Sequence, residues 1–316
     1  MIGPITTITL NPAIDQTVTL ENLTPGSVNV ARAAHSHPGG KGVNVASCLA
    51  DFGEPVLATG LLGRNNSEAF VELFEAKGIT DRFVRVPGST RVNIKLADLA
   101  RGETTDVNLP GIRVAESALD ALIDQFDYFT DAGRYVVAAG SLPEGLPADS
   151  YVHLVSRLNK LGARVLLDTS GAPLSAALAA PREALPAAIK PNRHELEQWA
   201  GQSLPTLAEV HAAARELQRR GVERVVVSLG EEGALFVDAD DAILASLPAI
   251  DTVSTVGAGD ALVAGLMSAW RAGADAETVA RRGVAFAVAK LGRLGPHLPD
   301  AAEVARLAAQ VNLARL

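Results

Sequence analysis

Short apolar runs of strand length alternate with longer amphipathic segments along most of the chain. The runs are rich in aliphatic residues and lie at residues 5–10, 135–139, 164–168 and 224–229. Helix-length segments, in which apolar residues recur every three or four positions, include residues 148–161 and 207–220. Strands that are covered by helices on both faces have such uninterrupted apolar content. The pattern predicts an α/β fold with a mostly parallel sheet.

Two stretches, residues 15–34 and 91–109, depart from this alternation. Polar and apolar residues alternate singly within them, as in TVTL at residues 17–20 and VNIKL at residues 92–96, which is typical of half-exposed strands. We therefore predict that the two stretches form one small sheet, a lid inserted into a single domain that spans residues 1–316. A sheet of this kind has an apolar face and unpaired edges to cover, so we expect a homodimer assembled through the lid.

The composition restricts the compartment and the class of partner. With 316 residues, 48% of them hydrophobic, the chain can bury a sizeable core. Its one cysteine, Cys48, forms no intramolecular disulfide and leaves no cysteine-based zinc site to propose. A net charge of −8 argues against a broad basic surface for nucleic acid. No basic segment followed by an apolar run begins the chain, and no stretch of about twenty apolar residues occurs, so we expect a soluble cytoplasmic protein without a membrane partner.

The first glycine-rich motif is GGKGVN at residues 39–44, which precedes a helical run at residues 45–52. Consecutive glycines allow the backbone to approach a ligand closely, and the start of a helix presents free N–H groups to an anion or a sugar oxygen. A glycine-rich turn without a ligand is the alternative that this pattern leaves open. A Walker A loop is excluded by the spacing, and because Gly42 stands where Ser or Thr follows the lysine.

The second motif is STVGAGD at residues 254–260, which opens a helical run at residues 261–271. Several backbone N–H groups and the positive end of the helix dipole face one point at such a turn, which suits a phosphoryl group in transfer. Asp260 either compensates the helix dipole or orients and deprotonates an attacking hydroxyl. The neighbouring amides favour the second role, since they would neutralise the charge that develops in the reaction.

The third motif is KPNRHE at residues 190–195, at the end of an apolar strand at residues 187–189. Asn192 and Glu195 are three positions apart, which is the spacing of a helix-capping box. Their oxygens are also of the hard type that magnesium prefers when it is held on ATP phosphates. The local pattern leaves both interpretations open, and it favours a surface or helix-facing position for His194 over a ligand role.

Together with NPAID at residues 11–15, the three motifs resemble the ribokinase-like (phosphofructokinase B) family along nearly the whole chain. Residues 39–44 are similar to the family's sugar-binding signature and residues 255–260 to its phosphate-binding signature, in the same order and spacing. The resemblance implies a three-layer α/β/α core with a mostly parallel sheet, a small β-sheet lid, and ATP and Mg²⁺ as cofactors. It places Asp260 at the position of the catalytic base, beside Gly257, Ala258 and Gly259.

Residues 11–15, 90–95 and 190–195 narrow the resemblance to kinases whose substrate is a ketohexose phosphate. The implied reaction transfers the γ-phosphoryl group of ATP to the C6 hydroxyl of fructose 1-phosphate, with fructose 6-phosphate and tagatose 6-phosphate as the alternative substrates. The existing phosphate needs an additional cation, for which Arg91 offers a planar fork, while Lys41 and Lys95 offer point charges. Without the resemblance, Arg91 and Lys95 would be interpreted as solvated strand residues.

The family resemblance also distributes the ligand contacts along the chain. The residues implied for the sugar phosphate are Asp15, Gly39, Gly40, Lys41, Asn44, Arg91, Lys95, Ser141 and Asp260. Those implied for the nucleotide are Lys190, Asn192, Ser228, Gly230, Gly233, Thr255, Gly257 and Gly259. The residues implied as magnesium ligands are Asn192 and Glu195. Residues 228–233 are locally only a turn, although ligands bind at such strand ends in open α/β sheets.

A non-catalytic sensor of sugar phosphates or nucleotides is the alternative class of function, because a fold does not impose a chemistry. The intact Asp260, with glycines before it, argues against a sensor. A nicotinamide-dependent oxidoreductase is disfavoured because the first strand–helix unit lacks a G-x-G-x-x-G turn.

Overall fold

The computed structural model describes residues 3–126, 135–248, 252, 255–293, 295 and 297–316. The strands are β1 Ile5–Thr9, β2 Ala13–Leu20, β3 Ala31–Gly39, β4 Val56–Gly63, β5 Thr80–Asp81, β6 Val84–Val86, β7 Arg91–Asp98, β8 Glu103–Asn108, β9 Tyr135–Ala139, β10 Arg164–Asp168, β11 Ala188–Ile189, β12 Arg224–Ser228, β13 Ala234–Val237, β14 Ala242–Ser246 and β15 Asn312–Arg315. The α-helices are α1 Lys41–Asp51, α2 Glu68–Lys77, α3 Glu116–Asp124, α4 Ser150–Lys160, α5 Gly171–Ala179, α6 Arg193–Ala200, α7 Leu207–Arg220, α8 Ala258–Arg271, α9 Ala276–Leu291 and α10 Ala301–Gln310.

Most of the strands form one large sheet. Its order is β15-β14-β13-β12-β11-β10-β9-β1-β4-β5, with β6 paired to β4. The pairs from β12 through β11, β10, β9 and β1 to β4 are parallel, whereas β12 to β15 form antiparallel neighbours. The predicted α/β fold with a mostly parallel sheet is therefore confirmed.

Helices cover both faces of this sheet, which explains why its strands are apolar on both sides. Val137 and Ala139 of β9 pack into a core with α1, α2, α8, α9 and α10. Val136 and Ala138 of the same strand pack into a second core with α3, α4, α5, α6 and α7. This alternation with a period of two residues gives the three-layer arrangement. Among the described residues, no helix combines the length and the apolar content needed to cross a membrane.

The parallel strands deliver several polar residues, among them the candidates Lys190 and Ser228, to one edge of the sheet. β1 leads to Asn11, β10 ends at Asp168, β11 leads to Lys190 and β12 ends at Ser228. Carboxyl ends of neighbouring parallel strands lie side by side, and this edge is where open α/β sheets bind their ligands. Residues that are far apart in the sequence are brought together for this reason.

A separate four-stranded sheet forms in the order β3-β2-β7-β8, which confirms the predicted small sheet. β2 and β7 are parallel, while β3 and β8 run antiparallel to their neighbours. Asp15 pairs with Asn93 and His37, so these three residues share one face. Ile94 pairs with Val107 and belongs to the opposite face. The sheet therefore has a polar face and an apolar face.

Candidate active site

The glycines of the 39–44 motif let β3 pass close to the residues that follow β1. Gly40 has a φ of +106°, and a Cβ at this position would lie 2.9 Å from the Cα of Pro12. A Cβ at Gly39 would lie 2.7 Å from Oδ2 of Asp15. The contact with backbone and the positive φ require glycine at Gly40, whereas a side chain at Gly39 would displace the Asp15 carboxylate. The helix α1 begins directly after this turn, at Lys41, and therefore earlier than the predicted run at residues 45–52.

The 254–260 motif also precedes a helix, and its acid faces the first motif. Gly257 is the N-cap of α8 with a φ of +83°, and the helix begins at Ala258. Asp260 lies in the first turn, and only 7% of its surface is exposed. Asn44 in α1 donates a hydrogen bond from Nδ2 to Oδ2 of Asp260, at 2.8 Å. The two glycine-rich motifs thus meet at Asp260.

A second buried acid, Asp168, joins these motifs to the 190–195 motif. Lys41 Nζ lies 3.0 Å from Oδ1 of Asp168, and Lys190 Nζ lies 3.5 Å from its Oδ2. Lys190 also lies against the start of α8, since a Cβ on Gly259 would be 3.5 Å from Lys190 Nζ. Asp168 therefore holds two cations next to the turn that carries Asp260.

Sequence reasoning missed Asp168. The available signal was an acid at the end of a buried strand, in a sheet whose other strand ends carry candidate residues. Its importance became visible only through its partners Lys41 and Lys190, which approach from two different elements.

The electrostatic environment favours a proton acceptor at this position. Burial raises the pKa of Asp260 to about 6, and the negative charge of Asp168 acts in the same direction. The hydrogen bond from Asn44 and the charges of Lys41 and Lys190 oppose this shift. For Lys41, burial acts to lower the pKa, but the charges of Asp168 and Asp260 outweigh it and the pKa is raised. Asp260 is thus a carboxylate at neutral pH that accepts a proton more readily than an ordinary aspartate.

The root of the lid carries the residues expected to bind the sugar phosphate. Asn93 Nδ2 donates to Oδ1 of Asp15 at 3.0 Å. Arg91 donates from Nη2 to the Asn11 carbonyl at 3.3 Å, and the negative charge of Asp15 acts to raise the Arg91 pKa, although burial lowers it overall. Arg91 therefore lies at the junction of the lid and the core, beside Asp15.

Lys95 is engaged differently from Arg91. Its Nζ forms an ion pair with Oδ1 of Asp106 at 3.0 Å, across the strands β7 and β8. Because Lys95 is already paired on the lid, Arg91 is the better-placed cation for a phosphate near Asp15.

The loops after β1 and β9 are joined at Ser141. Asn11 donates from Nδ2 to Oγ of Ser141 at 3.1 Å and to the Leu142 carbonyl at 3.2 Å. A side chain on Gly111 would clash with the Asn11 amide. Sequence reasoning did not assign Asn11, which belongs to the 11–15 motif, to the site. Its amide holds Ser141 against the loop that follows β1.

Asn192 and Glu195 form a capping box at the start of α6, which confirms that interpretation. Glu195 N donates to Oδ1 of Asn192 at 2.8 Å, and Asn192 N donates to Oε2 of Glu195 at 2.9 Å. His194 is exposed and contacts Gln198, as expected for a surface residue. Capping leaves Oε1 of Glu195 outside these two bonds, so the magnesium role stays a prediction.

The donor chemistry fits magnesium that arrives with a nucleotide. Among the described residues, no group of three or more His, Cys, Asp or Glu side chains is arranged to hold a metal ion. Mg²⁺ on ATP takes most of its ligands from phosphates and water, so one or two protein oxygens suffice.

The 228–233 turn lies directly beside the 190–195 motif. Ser228 N donates to the Pro191 carbonyl at 3.0 Å, and Arg193 pairs with Glu232 at 2.9 Å. Gly230 and Gly233 have positive φ values, +64° and +98°. The turn is closed by a hydrogen bond that Leu229 N donates to the Gly233 carbonyl at 2.9 Å. Two motifs assigned to the nucleotide therefore form one continuous surface.

The start of the 254–260 motif is only partly described. Ser254 lies outside the described residues, whereas Thr255 is exposed and its carbonyl accepts a hydrogen bond from Ala258 N at 3.3 Å. Thr255 therefore helps to shape the turn that precedes α8.

Comparison with known proteins adds independent support for a kinase. The family model described as pfkB family carbohydrate kinase matches residues 8–302. A 1-phosphofructokinase of Xanthomonas campestris is 50% identical over 286 residues, which cover 90% of each chain. Phosphofructokinase-2 from Escherichia coli in complex with fructose-6-phosphate has a TM-score of 0.89 at 31% identity, over 98% of this chain and 99% of that chain. The tetrameric inhibited form of the same protein has a TM-score of 0.89 at 32% identity, with the same coverage.

Proposed function

Because this chain belongs to the pfkB family of carbohydrate kinases, we propose that it phosphorylates fructose 1-phosphate at C6, with ATP as the phosphoryl donor. The products are fructose 1,6-bisphosphate and ADP. The observation that carries the proposal is the buried carboxylate of Asp260 at the glycine-opened start of α8, held by Asn44 from the sugar-binding motif. Relatives named 1-phosphofructokinase support the choice of substrate. We place the reaction in the cytoplasm, where ATP is available.

Asp260 is the proton acceptor in this proposal. Asn44 engages Oδ2, which leaves Oδ1 for the C6 hydroxyl. As the hydroxyl oxygen bonds to the γ-phosphorus, its proton passes to Asp260 and the bond between the γ-phosphorus and the bridging oxygen breaks, releasing ADP. The pKa of about 6 keeps Asp260 ionised at neutral pH while making it a stronger base than an ordinary aspartate. The transition state is loose, so positioning matters more than basicity.

The start of α8 neutralises the charge on the transferred group. The first N–H groups of a helix lack intrahelical partners and point at the position that an anion takes. Gly257, Ala258 and Gly259 allow the phosphoryl group to come close to this end of the helix. Lys190 lies against Gly259, so it places its ammonium group beside this end of the helix.

The sugar phosphate binds under the lid. Asp15, Gly39, Gly40 and Asn44 contact the sugar, with Ser141 on the core side. Arg91 holds the existing phosphate, since its guanidinium lies beside Asp15 at the base of the lid. Lys41 contributes a second charge from the first turn of α1, where Asp168 fixes its direction.

ATP lies along the surface formed by the 190–195 motif and the 228–233 turn. Lys190 and Asn192 contact phosphates, while Ser228, Gly230 and Gly233 border the nucleotide. Glu195 and Asn192 would hold Mg²⁺ that arrives with ATP, in part through water. The metal would supply charge neutralisation for the nucleotide phosphates.

The proposal also includes a homodimer that is closed by the lid. Val28 and Val30, in the turn between β2 and β3, are 95% and 83% exposed, and Val107 adds an exposed apolar position on the face that carries Ile94. Burying this face against a second copy of the lid removes apolar surface from water and covers the edges of the sheet. Dimerisation would then press the polar face, with Asp15 and Arg91, toward the sugar site.

A coupled assay for ADP release tests the substrate assignment. The acceptors are fructose 1-phosphate, fructose 6-phosphate, tagatose 6-phosphate and fructose. We expect the highest kcat/KM with fructose 1-phosphate. Fructose 6-phosphate is the second candidate, since the structure of Escherichia coli phosphofructokinase-2 was solved with that ligand. A higher kcat/KM with any other acceptor would replace fructose 1-phosphate, and no activity with any of the four would remove the kinase proposal.

A further inference from the structure

Lys290 is a buried lysine that the mechanism above does not use. It lies near the end of α9, and only 1% of its surface is exposed. Its Nζ donates a hydrogen bond to the Arg293 carbonyl at 2.7 Å. Burying an ammonium group is unfavourable unless its surroundings compensate for the lost water. Within the described part of the chain, this neutral carbonyl is the only hydrogen-bond acceptor of the ammonium, and it compensates weakly for the lost water.

The side chain lies directly behind the turn that opens α8. A Cβ on Gly257, the N-cap of that helix, would be 3.5 Å from Cε of Lys290. The helices α8 and α9 pack closely enough that a Cβ on Gly265 would lie 2.6 Å from the Arg282 carbonyl. This close packing fixes Lys290 relative to the start of α8.

The charge that acts on Lys290 also lies at the start of α8. Burial lowers its pKa, whereas the negative charge of Asp260 acts to raise it and favours the ammonium form. The neighbouring Cys48 supplies no negative charge at neutral pH, because burial raises the pKa of its thiol to about 12.

We propose that Lys290 is a positioning residue for phosphoryl transfer, which holds the turn at residues 255–257 and places a positive charge behind the transferred phosphoryl group. The inference rests on the proposed binding of the γ-phosphoryl group at the start of α8. An ammonium beside the positive end of a helix is unfavourable without an anion and becomes favourable when an anion arrives. Lys290 therefore stabilises the loaded site more than the empty one, and kcat reports that difference.

A structural role predicts something different for the same residue. If Lys290 only filled the core, a side chain of similar volume without charge would maintain both the fold and the turnover. If its charge acts on the turn, the same substitution maintains the fold and lowers kcat. KM for the sugar phosphate stays nearly constant in that case, because the proposed sugar contacts lie on α1, the lid and the loop after β9.

Lys290→Met tests the charge at nearly constant volume, and Lys290→Ala also removes the side-chain volume. Lys77→Met is the matched control, because Lys77 is another largely buried lysine whose charge is already paired, with Asp51 at 2.6 Å. We expect Lys290→Met to unfold at a temperature equal to or above that of the parent, with kcat lower by about tenfold or more. The KM for fructose 1-phosphate should change by less than about twofold. Lys77→Met should maintain the parent kcat.

Added cations provide a second readout. Ammonium chloride should restore part of the kcat of Lys290→Ala, because the small cation fits the space left by the side chain, and should restore less in Lys290→Met. Sodium chloride at the same concentration controls for ionic strength.

The possible outcomes separate the two roles. An unchanged kcat in folded Lys290→Met, a decrease no larger than that of Lys77→Met, or failure of both Lys290 variants to fold would each overturn the inference. If the parent is inactive with every sugar phosphate, the proposed function fails instead. Titration calorimetry then decides the role of Lys290. The inference requires Lys290→Met to weaken the binding of a nonhydrolysable ATP analogue more than the binding of ADP. Equal weakening of the two affinities would overturn it.

Discussion

Asn44 donates a hydrogen bond to Asp260 at 2.8 Å although the two residues are 216 positions apart in the chain. The bond joins the first turn of α1 to the first turn of α8. It therefore links the motif assigned to the sugar with the motif assigned to the phosphoryl group. In the proposed mechanism, a hydroxyl held near Asn44 is consequently close to the carboxylate that accepts its proton.

Asp260→Asn should lower kcat by about a hundredfold or more, since it removes the proton acceptor without changing its shape. KM for fructose 1-phosphate should change little. Asp300→Asn is the control, because Asp300 also stands at a helix start, where it caps α10 by accepting a hydrogen bond from Glu303 N at 2.9 Å. A kcat within a few-fold of the parent in Asp260→Asn would remove Asp260 from the mechanism.

Asp260→Asn should also raise the thermal stability of the protein at pH 7. The pKa of Asp260 is raised to about 6 in the folded protein, so the folded state binds more protons than the unfolded state between the ordinary aspartate pKa and pH 6. Stability from this group is therefore lost as pH rises through that window. Asn has no charge to bury, so the advantage of Asp260→Asn should be largest at pH 7 and vanish near pH 4. Calorimetric unfolding at several pH values measures it.

Asp168→Asn should shift the pH profile of kcat. The negative charge of Asp168 is one cause of the raised Asp260 pKa, so its removal should move the acidic limb of the profile to lower pH. Turnover at the optimum should also fall, because Lys41 and Lys190 lose their common partner. A profile with the parent's acidic limb would show that Asp168 does not act on Asp260.

Arg91→Ala should raise KM for fructose 1-phosphate by about tenfold or more and leave KM for ATP nearly unchanged, because a charge-assisted bond to the existing phosphate is lost. Arg219→Ala, in the exposed part of α7, removes an equal charge away from the lid. Equal increases of both KM values in a folded Arg91→Ala protein would assign Arg91 a structural role.

Val18→Asp and Ile94→Asp should dissociate the proposed dimer and reduce turnover together. Val18 pairs with Leu96, and Ile94 pairs with Gln16, so both substitutions place a carboxylate on the same face of the lid. Light scattering at the assay concentration measures the mass. Leu316→Asp is the control, since Leu316 is an exposed apolar residue outside the lid. A fully active monomeric parent would refute the proposal, as would a dimer formed only through the α/β core.

The periodic part of the fold was predictable from the sequence. The strands Tyr135–Ala139 and Arg164–Asp168 and the helix Leu207–Arg220 have the predicted bounds, because apolar periodicity reports burial directly. The start of α1 was predicted too late, since the first apolar residues do not reveal a helix that begins after a glycine with positive φ. The local sequence pattern predicts that a helix exists more reliably than it predicts the residue at which the helix begins.

The candidate site was predictable where a motif is contiguous and was missed where it is assembled in space. Asp168 acquires its importance from Lys41 and Lys190, which come from other elements. Lys290 was also missed, because a lysine in the last turn of a helix is ordinarily explained by the helix dipole. Its burial depends on how α8 and α9 pack, which the order of residues does not reveal.

The lid is attached to the core through the proposed sugar site itself. Ala13 pairs with Gly39 and with Arg91 at the root of the small sheet, and Asp15 stands two residues along β2. Opening about this root would carry Asp15 away from Asn44, which stays on α1, while Arg91 lies at the hinge itself. We therefore expect that opening of the lid also separates the residues of the proposed sugar pocket. Release of the bisphosphate product and loss of the binding site are then a single kinetic step.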